Sequence, residues 1–136
     1  MKRMFVVSMV LMLALAGMAM ADDNEAEVLQ VGSDNTATVT QSADFQRADV
    51  LQFGDDNTAT VTQQDSDDNT GFVFQAGTLN TASISQSWTG SGSVAGSNLA
   101  EQFQFGFENL ATIIQRGNSA ADNYAIQVQA GSGNTA

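Results

Sequence analysis

Apolar and polar residues alternate along most of the chain from residue 24 onward. Residues 24–30 read NEAEVLQ and residues 35–41 read NTATVTQ, so an amide, an alanine, a valine and a second amide share one face of each stretch. Alternation over seven residues predicts a β-strand with one buried face. Gly32 lies between the two stretches, where glycine allows a backbone conformation that other residues resist. The pattern therefore predicts a strand, a tight turn and a second strand.

This strand-turn-strand pattern recurs about every 22 residues, and such a period is the signature of a solenoid. The gap between the first-strand glutamine and the second-strand asparagine is five residues in every copy, whereas the connections between copies vary, most visibly at residues 87–97 with the single tryptophan. We predict an all-β fold, a parallel β-solenoid of stacked strand-turn-strand repeats. The copies span residues 24–41, 46–63, 69–86, 98–115 and, as a partial fifth copy, 123–136.

The inward face of each repeat carries amides as well as small apolar residues. Parallel stacking about 4.8 Å apart would place each residue on its equivalent in the next layer. A buried amide can donate to and accept from an equivalent amide, so each layer satisfies its neighbours. The predicted structural ladder for self-assembly consists of Asn24, Gln30, Asn35, Gln41, Gln46, Gln52, Asn57, Gln63, Asn69, Gln75, Asn80, Gln86, Asn98, Gln104, Asn109, Gln115, Asn123, Gln129 and Asn134. The predicted turn glycines are Gly32, Gly54, Gly77, Gly106 and Gly131.

One inward position changes its residue type along the chain. Val28, Val50 and Val73 are followed at this position by Gln102 and Gln127, which would still lie like on like. The outermost strands would expose unpaired backbone, and the chain has no proline to protect such an edge. A chain whose first layer matches its last forms a head-to-tail contact that does not close. We therefore expect a cross-β, amyloid-forming subunit.

The first residues have a different character. Lys2 and Arg3 precede an apolar run at residues 4–20, and the run closes with Ala-Met-Ala at 19–21. A basic start, an apolar run and a small-x-small end are typical of a secretory signal peptide. We predict that residues 1–21 are cleaved and that residues 22–136 form one repeat domain. With no cysteine in the chain, this domain is held together without disulfides.

Charge and residue inventory exclude several functions. After residue 21, two arginines stand against all fifteen acidic residues, which gives a formal net charge of −13. Such a surface disfavours nucleic acid and anionic membranes as partners. The chain has no histidine or cysteine, and the carboxylates fall mainly at turns, so we expect neither an enzyme nor a cofactor or metal site. We interpret the acidic turns as keeping chains apart in solution, with calcium binding as the less favoured alternative.

The motif Gln-x-Gly-x-x-Asn-x-Ala-x-x-x-Gln, repeated behind a signal peptide, resembles the curlin repeat over residues 24–136. The resemblance implies a curli amyloid subunit, exported through the periplasm and a dedicated outer-membrane pore, nucleated by a partner subunit and serving biofilm matrix and adhesion. Members usually place serine where this chain has Asn24, Gln46, Asn69, Asn98 and Asn123, which we also expect to ladder. A Gly/Asn-rich leader is missing between the signal and the first repeat. The nucleator of this family tends to end in a basic repeat. The last repeat of this chain is not basic, so the resemblance favours the major subunit over the nucleator.

Two alternatives remain open. The nucleator, or minor, subunit is the alternative within the same family. An ice-binding solenoid is the alternative of another class, because the outward residues of the second strands form rows of hydroxyls; their other explanation is that threonine favours strands. The rows are Thr36, Thr38 and Thr40, then Thr58, Thr60 and Thr62, then Thr81, Ser83 and Ser85, and the fourth copy interrupts them with Leu110 and Ile114. Phe53, Phe72, Phe74, Phe103, Phe105 and Tyr124 are expected to pack on neighbouring side chains.

Overall fold

The structure, a computed structural model, describes residues 23–65, 68–88, 97–117 and 122–136. The predicted signal peptide at 1–21 lies outside the described residues, as do residues 89–96 of the insertion between the third and fourth repeats. Within the described part, no helix is long and apolar enough to cross a lipid bilayer. The regular structure of that part is β-strand.

The strands follow one another in pairs, each pair joined by a tight turn. They are β1 (Glu25–Val31), β2 (Thr36–Gln41), β3 (Arg47–Asp55), β4 (Thr58–Gln64), β5 (Thr70–Thr78), β6 (Thr81–Trp88), β7 (Asn98–Phe107), β8 (Leu110–Gly117) and β9 (Asn123–Ser132). The odd-numbered strands form a five-stranded sheet in chain order, and the even-numbered strands form a four-stranded sheet in chain order. Every neighbouring pair runs parallel. The predicted all-β parallel β-solenoid of stacked strand-turn-strand repeats is confirmed.

The register places equivalent residues of successive repeats directly on one another. In the five-stranded sheet Val28 pairs with Val50, Val50 with Val73, and Val73 with Gln102. The longer connection before β7 leaves this register unchanged. A slip by one residue would turn every inward side chain outward, so the buried face fixes the register.

The interior between the two sheets is narrow. Its buried apolar residues are small or β-branched: Ala37, Val39, Ala48, Val50, Ala59, Val61, Val73, Ala82, Ile84, Ala100, Ala111 and Ile113. In the described part of the chain, fourteen amide side chains are buried beside them, so polar groups form as much of this interior as apolar ones. Such an interior is stable only where its amides are paired, since a buried unpaired polar group costs about 1 to 3 kcal/mol.

The turn inside each repeat depends on glycine for two reasons. Gly54 has φ +112°, a conformation that side chains rarely adopt. A Cβ atom at Gly54 would also overlap the carbonyl oxygen of Gly77 in the next layer. Gly32, Gly77 and Gly106 meet the same obstacle, each against the glycine that follows it in the stack. The predicted turn glycines therefore allow the layers to approach one another.

The residue just before each turn asparagine also adopts a left-handed backbone conformation. Leu79 has φ +59° and Glu108 has φ +53°, which are unusual values for residues of their size. Their repeats therefore tolerate local strain to keep the same turn. The sequence did not predict this feature, because these positions carry unrelated residues in the five copies: Asp34, Asp56, Leu79, Glu108 and Gly133.

β6 extends further than the repeat pattern predicted. The third repeat was expected to end at residue 86, with Trp88 in the following loop, but β6 continues through Trp88, which pairs with Gly117 of β8. A Cβ atom at Gly117 would lie 3.3 Å from the ring of Trp88, so the indole packs directly over this glycine. A neighbour without a side chain makes room for the bulky ring and allows the strand to continue.

Candidate functional site

Glutamine side chains form two continuous hydrogen-bonded ladders through the solenoid. In the first-strand ladder, Nε2 of each glutamine donates to Oε1 of the next, from Gln30 to Gln52 at 2.7 Å and from Gln104 to Gln129 at 3.0 Å. The intermediate steps, Gln52 to Gln75 and Gln75 to Gln104, are both 2.8 Å. The second-strand ladder joins Gln41, Gln63, Gln86 and Gln115 through contacts of 2.9 to 3.0 Å.

The same glutamines also join the two sheets. The second Nε2 hydrogen of Gln52 is donated to the backbone carbonyl of Thr36, and that of Gln75 to the carbonyl of Thr58. In the other direction, Gln63 of β4 donates to the carbonyl of Arg47 in β3. These amide nitrogens thus donate both along the stack and across it, and Gln63 also donates to the carbonyl of Asn69. The glutamines determine both the layer spacing and the distance between the sheets.

Asparagines form a third ladder at the turn. Nδ2 of Asn57 donates to Oδ1 of Asn35 at 3.1 Å, and the ladder continues through Asn80 and Asn109 to Asn134. Each Oδ1 also accepts the backbone N–H of the asparagine in the next layer, as Asn35 does from Asn57 at 3.0 Å. Nδ2 of Asn57 donates in addition to the carbonyl of Gly77 at 2.9 Å. The asparagines therefore satisfy the backbone polar groups that the glycine turn leaves unpaired.

The amides that begin the first strands form a less regular row. Nδ2 of Asn98 donates to Oδ1 of Asn69, and Nδ2 of Asn123 to Oδ1 of Asn98, both at 2.7 Å. Gln46 differs, because its Oε1 accepts from the backbone nitrogens of Ser42 and Ala43 in its own connection. Oδ1 of Asn24 accepts the backbone N–H of Gln46 at 2.9 Å. The extra methylene of Gln46 thus lets this amide reach the backbone of the connection between the first two repeats.

A short fifth ladder begins where valine is replaced by glutamine. Nε2 of Gln102 donates to Oε1 of Gln127 at 3.0 Å and to the carbonyl of Ser83 at 3.0 Å. On the other side Gln102 faces Val73, which offers no donor. Oε1 of Gln102 is consequently buried without a hydrogen-bond partner among the described residues. The pairing of Gln102 with Gln127 follows the like-on-like rule, and the step from Val73 to Gln102 does not.

The ladders run in opposite directions along the axis. Glutamine side chains donate toward the later repeats, whereas turn asparagines donate toward the earlier ones. In the first layer, Oε1 of Gln30 accepts no hydrogen bond within the described residues. In the last layer, Asn134 uses its Nδ2 group toward Asn109 and Ala130, which leaves its Oδ1 as an acceptor. The outermost layers therefore present unlike groups at equivalent positions, as a head-to-tail contact requires.

Charged groups lie on the surface and form no catalytic arrangement within the described residues. Nε of Arg47 donates to Asp49 at 2.9 Å and its Nη1 to Glu25 at 2.8 Å. The hydrogen bond and charge of Asp49, with the charge of Glu25, raise the pKa of Arg47. The hydroxyl of Tyr124 donates to Glu101 at 3.2 Å, and desolvation together with this bond raises the pKa of Tyr124. Arg47 and Glu25 are both exposed, and an exposed ion pair of this kind contributes little to stability.

The outer faces of the two sheets differ in polarity. The four-stranded sheet carries the hydroxyl rows in register, with Thr38 beside Thr60 and Thr60 beside Ser83, until Leu110 and Ile114 interrupt them in β8. The five-stranded sheet carries most of the aromatic residues, which pack on one another as expected. The ring centroids of Phe53 and Phe74 are 5.7 Å apart, and those of Phe74–Phe105 and Phe72–Phe103 are 5.4 Å apart.

The described part is thus a repeating array of matched donors and acceptors, and this array is its candidate functional site. The model of the curlin associated repeat matches residues 21–44, 32–64 and 67–96, which together cover more than half of the chain. The chain belongs to the curlin repeat family. It is a curli-type structural fibre subunit from a family of self-assembling amyloid proteins that form extracellular fibres, and this is not an enzyme family. Comparison with curated proteins and with solved structures gives no match.

Two features of this curlin-repeat site were missed in the sequence. The direction of each ladder was not predicted, because equivalent residues reveal which side chains meet and not which atom donates. The continuous apolar columns outside the five-stranded sheet were also missed, since the aromatic residues were considered one by one. The signal was present at the outward positions on either side of the first-strand glutamine, where residues such as Leu29 and Val31 recur as apolar in every repeat.

Proposed function

We propose that this curlin-repeat protein is the major subunit of extracellular curli-like fibres that contribute to biofilm matrix and surface adhesion. In this proposal, copies stack head to tail and continue the first-strand glutamine ladder and the turn-asparagine ladder from one molecule to the next. A nucleator subunit and an outer-membrane secretion pore are its proposed partners. The structural ladder and the turn glycines act as the self-assembly site.

The complementarity of the outermost described layers is the observation that supports this proposal. Nε2 of Gln129 donates one hydrogen to the carbonyl of Leu110 and has a second available for a further layer. Oε1 of Gln30 is the matching acceptor. At the turn, Nδ2 of Asn35 donates to the carbonyl of Gly54 and has a hydrogen available for Oδ1 of Asn134. A copy placed head to tail would therefore extend the first-strand glutamine ladder and the turn-asparagine ladder with the geometry already used inside the chain.

The turn glycines provide a test of head-to-tail stacking. A Cβ atom at Gly131 would have only Asn134 Nδ2 within reach, at 3.5 Å, whereas at the earlier turn glycines it would overlap the next glycine carbonyl. In the proposed fibre, that next carbonyl belongs to Gly32 of another copy. Gly131→Ala should therefore stop elongation at this layer. Because φ at Gly131 is +114°, a side chain there is also strained, and urea unfolding of the unassembled variant separates this strain from the block to stacking. Gly133→Ala is the control for a substitution in the same turn, because Gly133 has φ +66°, a left-handed value that Leu79 and Glu108 also adopt, and open space around it.

The measurement is elongation of preformed wild-type seeds, followed by thioflavin fluorescence and negative-stain images. Gly131→Ala protein should add at the seed end that exposes Gly131 and go no further, and it should block later growth by wild-type protein at that end. Gly133→Ala protein should elongate them at nearly the wild-type rate. Elongation of the seeds by Gly131→Ala protein at the wild-type rate would contradict head-to-tail stacking through this layer.

We further propose that residues 1–21 are removed on export, which leaves residues 22–136 as the repeat domain of the fibre. The basic, apolar and small-residue segments at the start of the sequence support this proposal. N-terminal sequencing of protein recovered from the cell surface tests it. A sequence beginning at Asp22 is expected, and a sequence that still contains the apolar run would contradict it.

A further inference from the structure

Two columns of apolar side chains run along the outer face of the five-stranded sheet, parallel to the solenoid axis. Their residues occupy equivalent positions in β1, β3, β5, β7 and β9 and stack in register. We call them the apolar stripe, which consists of Leu29, Leu51, Phe74, Phe103 and Val128 in one column and Val31, Phe53, Ala76, Phe105 and Ala130 in the other.

The apolar stripe is continuous through all five layers and remains accessible. The contacts of Phe74 with Phe53 and with Phe105 join the two columns diagonally. These rings pack on one another and still leave Phe105 41% exposed, while Val128 is 64% exposed. Contiguous exposed apolar surface of this kind marks an interaction site.

We propose that the apolar stripe is a lateral interface, through which the five-stranded sheet of one fibre packs face to face on that of a second fibre of the same chain. This inference rests on the proposed stacking into fibres. The periodicity of the stripe supports a second copy as the occupant. Its side chains repeat at the strand spacing of about 4.8 Å, and another copy of the same sheet has the same spacing, so its rings fit between successive layers.

The acidic residues beside the apolar stripe allow a second copy of the sheet to pack on it in one relative orientation. The next column on this face carries Glu27, Asp49 and Glu101, interrupted by Phe72 and Ile126. A two-fold axis parallel to the fibre axis makes the facing strands antiparallel and places the two acidic columns at opposite margins of the interface. Like charges then do not oppose each other, and the apolar columns lie over apolar columns at the usual distance between sheets of about 10 Å.

The size of the apolar stripe makes the pairing depend on fibre formation. Five layers and two columns cover about 24 Å by 13 Å, or roughly 300 Å², on one molecule. A stable protein interface buries about 800 Å² on each partner. One molecule therefore offers too little apolar area to dimerise, whereas roughly three stacked molecules reach that value. Fibres should pair laterally, and isolated molecules should not.

The experiment is the mass per length of fibres, measured by dark-field scanning transmission microscopy, for wild type and two double variants. Phe74→Thr with Phe103→Thr removes the two largest side chains of one column but keeps strand-forming residues. Leu110→Thr with Ile114→Thr is the matched control, because it makes the same kind of change on the outer face of the four-stranded sheet, where both residues are exposed. A cryo-EM cross-section of wild-type fibres gives an independent readout.

Wild-type fibres are expected at twice the mass per length of a single solenoid, with the five-stranded sheets facing each other in cross-section. The Phe74→Thr, Phe103→Thr fibres should fall to the single value, and the control fibres should stay at the double value. Single wild-type fibres, or a cross-section with another face at the interface, would overturn the lateral interface and leave head-to-tail stacking intact. Persistent pairing of the phenylalanine variant would also overturn it. Wild-type protein that forms no fibres would overturn both proposals.

Discussion

At the level of single residues, the fold depends on amides that are buried and paired with their equivalents. The repeat pattern identified these residues from the sequence because a buried amide needs an amide in the next layer. It did not identify the second partner of each Nε2 group, such as the carbonyl of Thr36 for Gln52. That partner lies on the opposite sheet, and its position depends on the distance between the sheets rather than on the repeat.

Replacing Gln52 and Asn57 together by alanine tests the role of the ladders. Gln30 then loses the acceptor and Gln75 the donor that Gln52 supplied. Each amide group left unpaired in the interior should cost about 1 to 3 kcal/mol, so the free energy of unfolding should fall and fibre growth should slow. Gln64→Ala is the control, because Gln64 is exposed at the end of β4.

Urea unfolding and thioflavin growth curves measure both effects. The control should behave as wild type in each assay. Wild-type growth of the Gln52→Ala, Asn57→Ala variant would show that the ladders do not control assembly.

At the level of strands, alternation and spacing predicted the pairing and the register. They were less informative about where strands end. β6 runs past the predicted repeat boundary because Gly117 in the neighbouring layer accommodates Trp88. A pattern within one repeat cannot show that, since the determining residue lies in the next repeat, 29 positions along the chain. The left-handed residues Leu79 and Glu108 likewise depend on the preceding layer, because their backbone N–H groups donate to the carbonyls of Asp55 and Thr78.

The change from valine to glutamine within one column gives a prediction for strand stacking. Replacing both Gln102 and Gln127 by valine would extend the column of Val28, Val50 and Val73 and remove the buried, unpartnered Oε1 of Gln102. Removing both members of a polar pair is neutral or stabilising when one member is imperfectly paired. We therefore expect the double variant to be more stable by about 1 kcal/mol.

The matched single variant is Gln102→Val, which leaves Oε1 of Gln127 without its donor and should be less stable than the double variant. The urea midpoints of the two variants and wild type provide the comparison. A double variant clearly less stable than wild type would contradict the like-on-like account of this column.

At the level of the whole molecule, strong negative charge opposes the tendency of matched layers to stack. Residues 22–136 carry a formal net charge of −13, and the isoelectric point of the full 136-residue sequence is about 4.1. Repulsion between like-charged molecules slows association and is screened by salt. The two outer faces add a second asymmetry, with hydroxyl groups on one sheet and the apolar stripe on the other. Composition predicted the net charge, whereas the apolar stripe, whose residues recur at fixed positions in every repeat, was recognised only once the strands were in register.

Assembly should accelerate as the pH is lowered from neutral toward the isoelectric point, because carboxylates take up protons and the net charge approaches zero. Added sodium chloride at neutral pH should act in the same direction, since the Debye length falls from about 10 Å at 0.1 M to about 3 Å at 1 M. The lag time of thioflavin fluorescence measures both effects. A lag time that changes with neither pH nor salt would show that charge does not limit assembly.

The axial repeat of the fibre, determined by cryo-EM, tests the stacking of amide layers from molecule to molecule most directly. The account predicts strands perpendicular to the fibre axis at a spacing of about 4.8 Å, with one molecule contributing about 24 Å of axial rise through its five layers. It also predicts that the Gln129 side chain of one molecule lies within hydrogen-bonding distance of the Gln30 side chain of the next. Strands parallel to the fibre axis, or neighbouring molecules joined through another face, would contradict it.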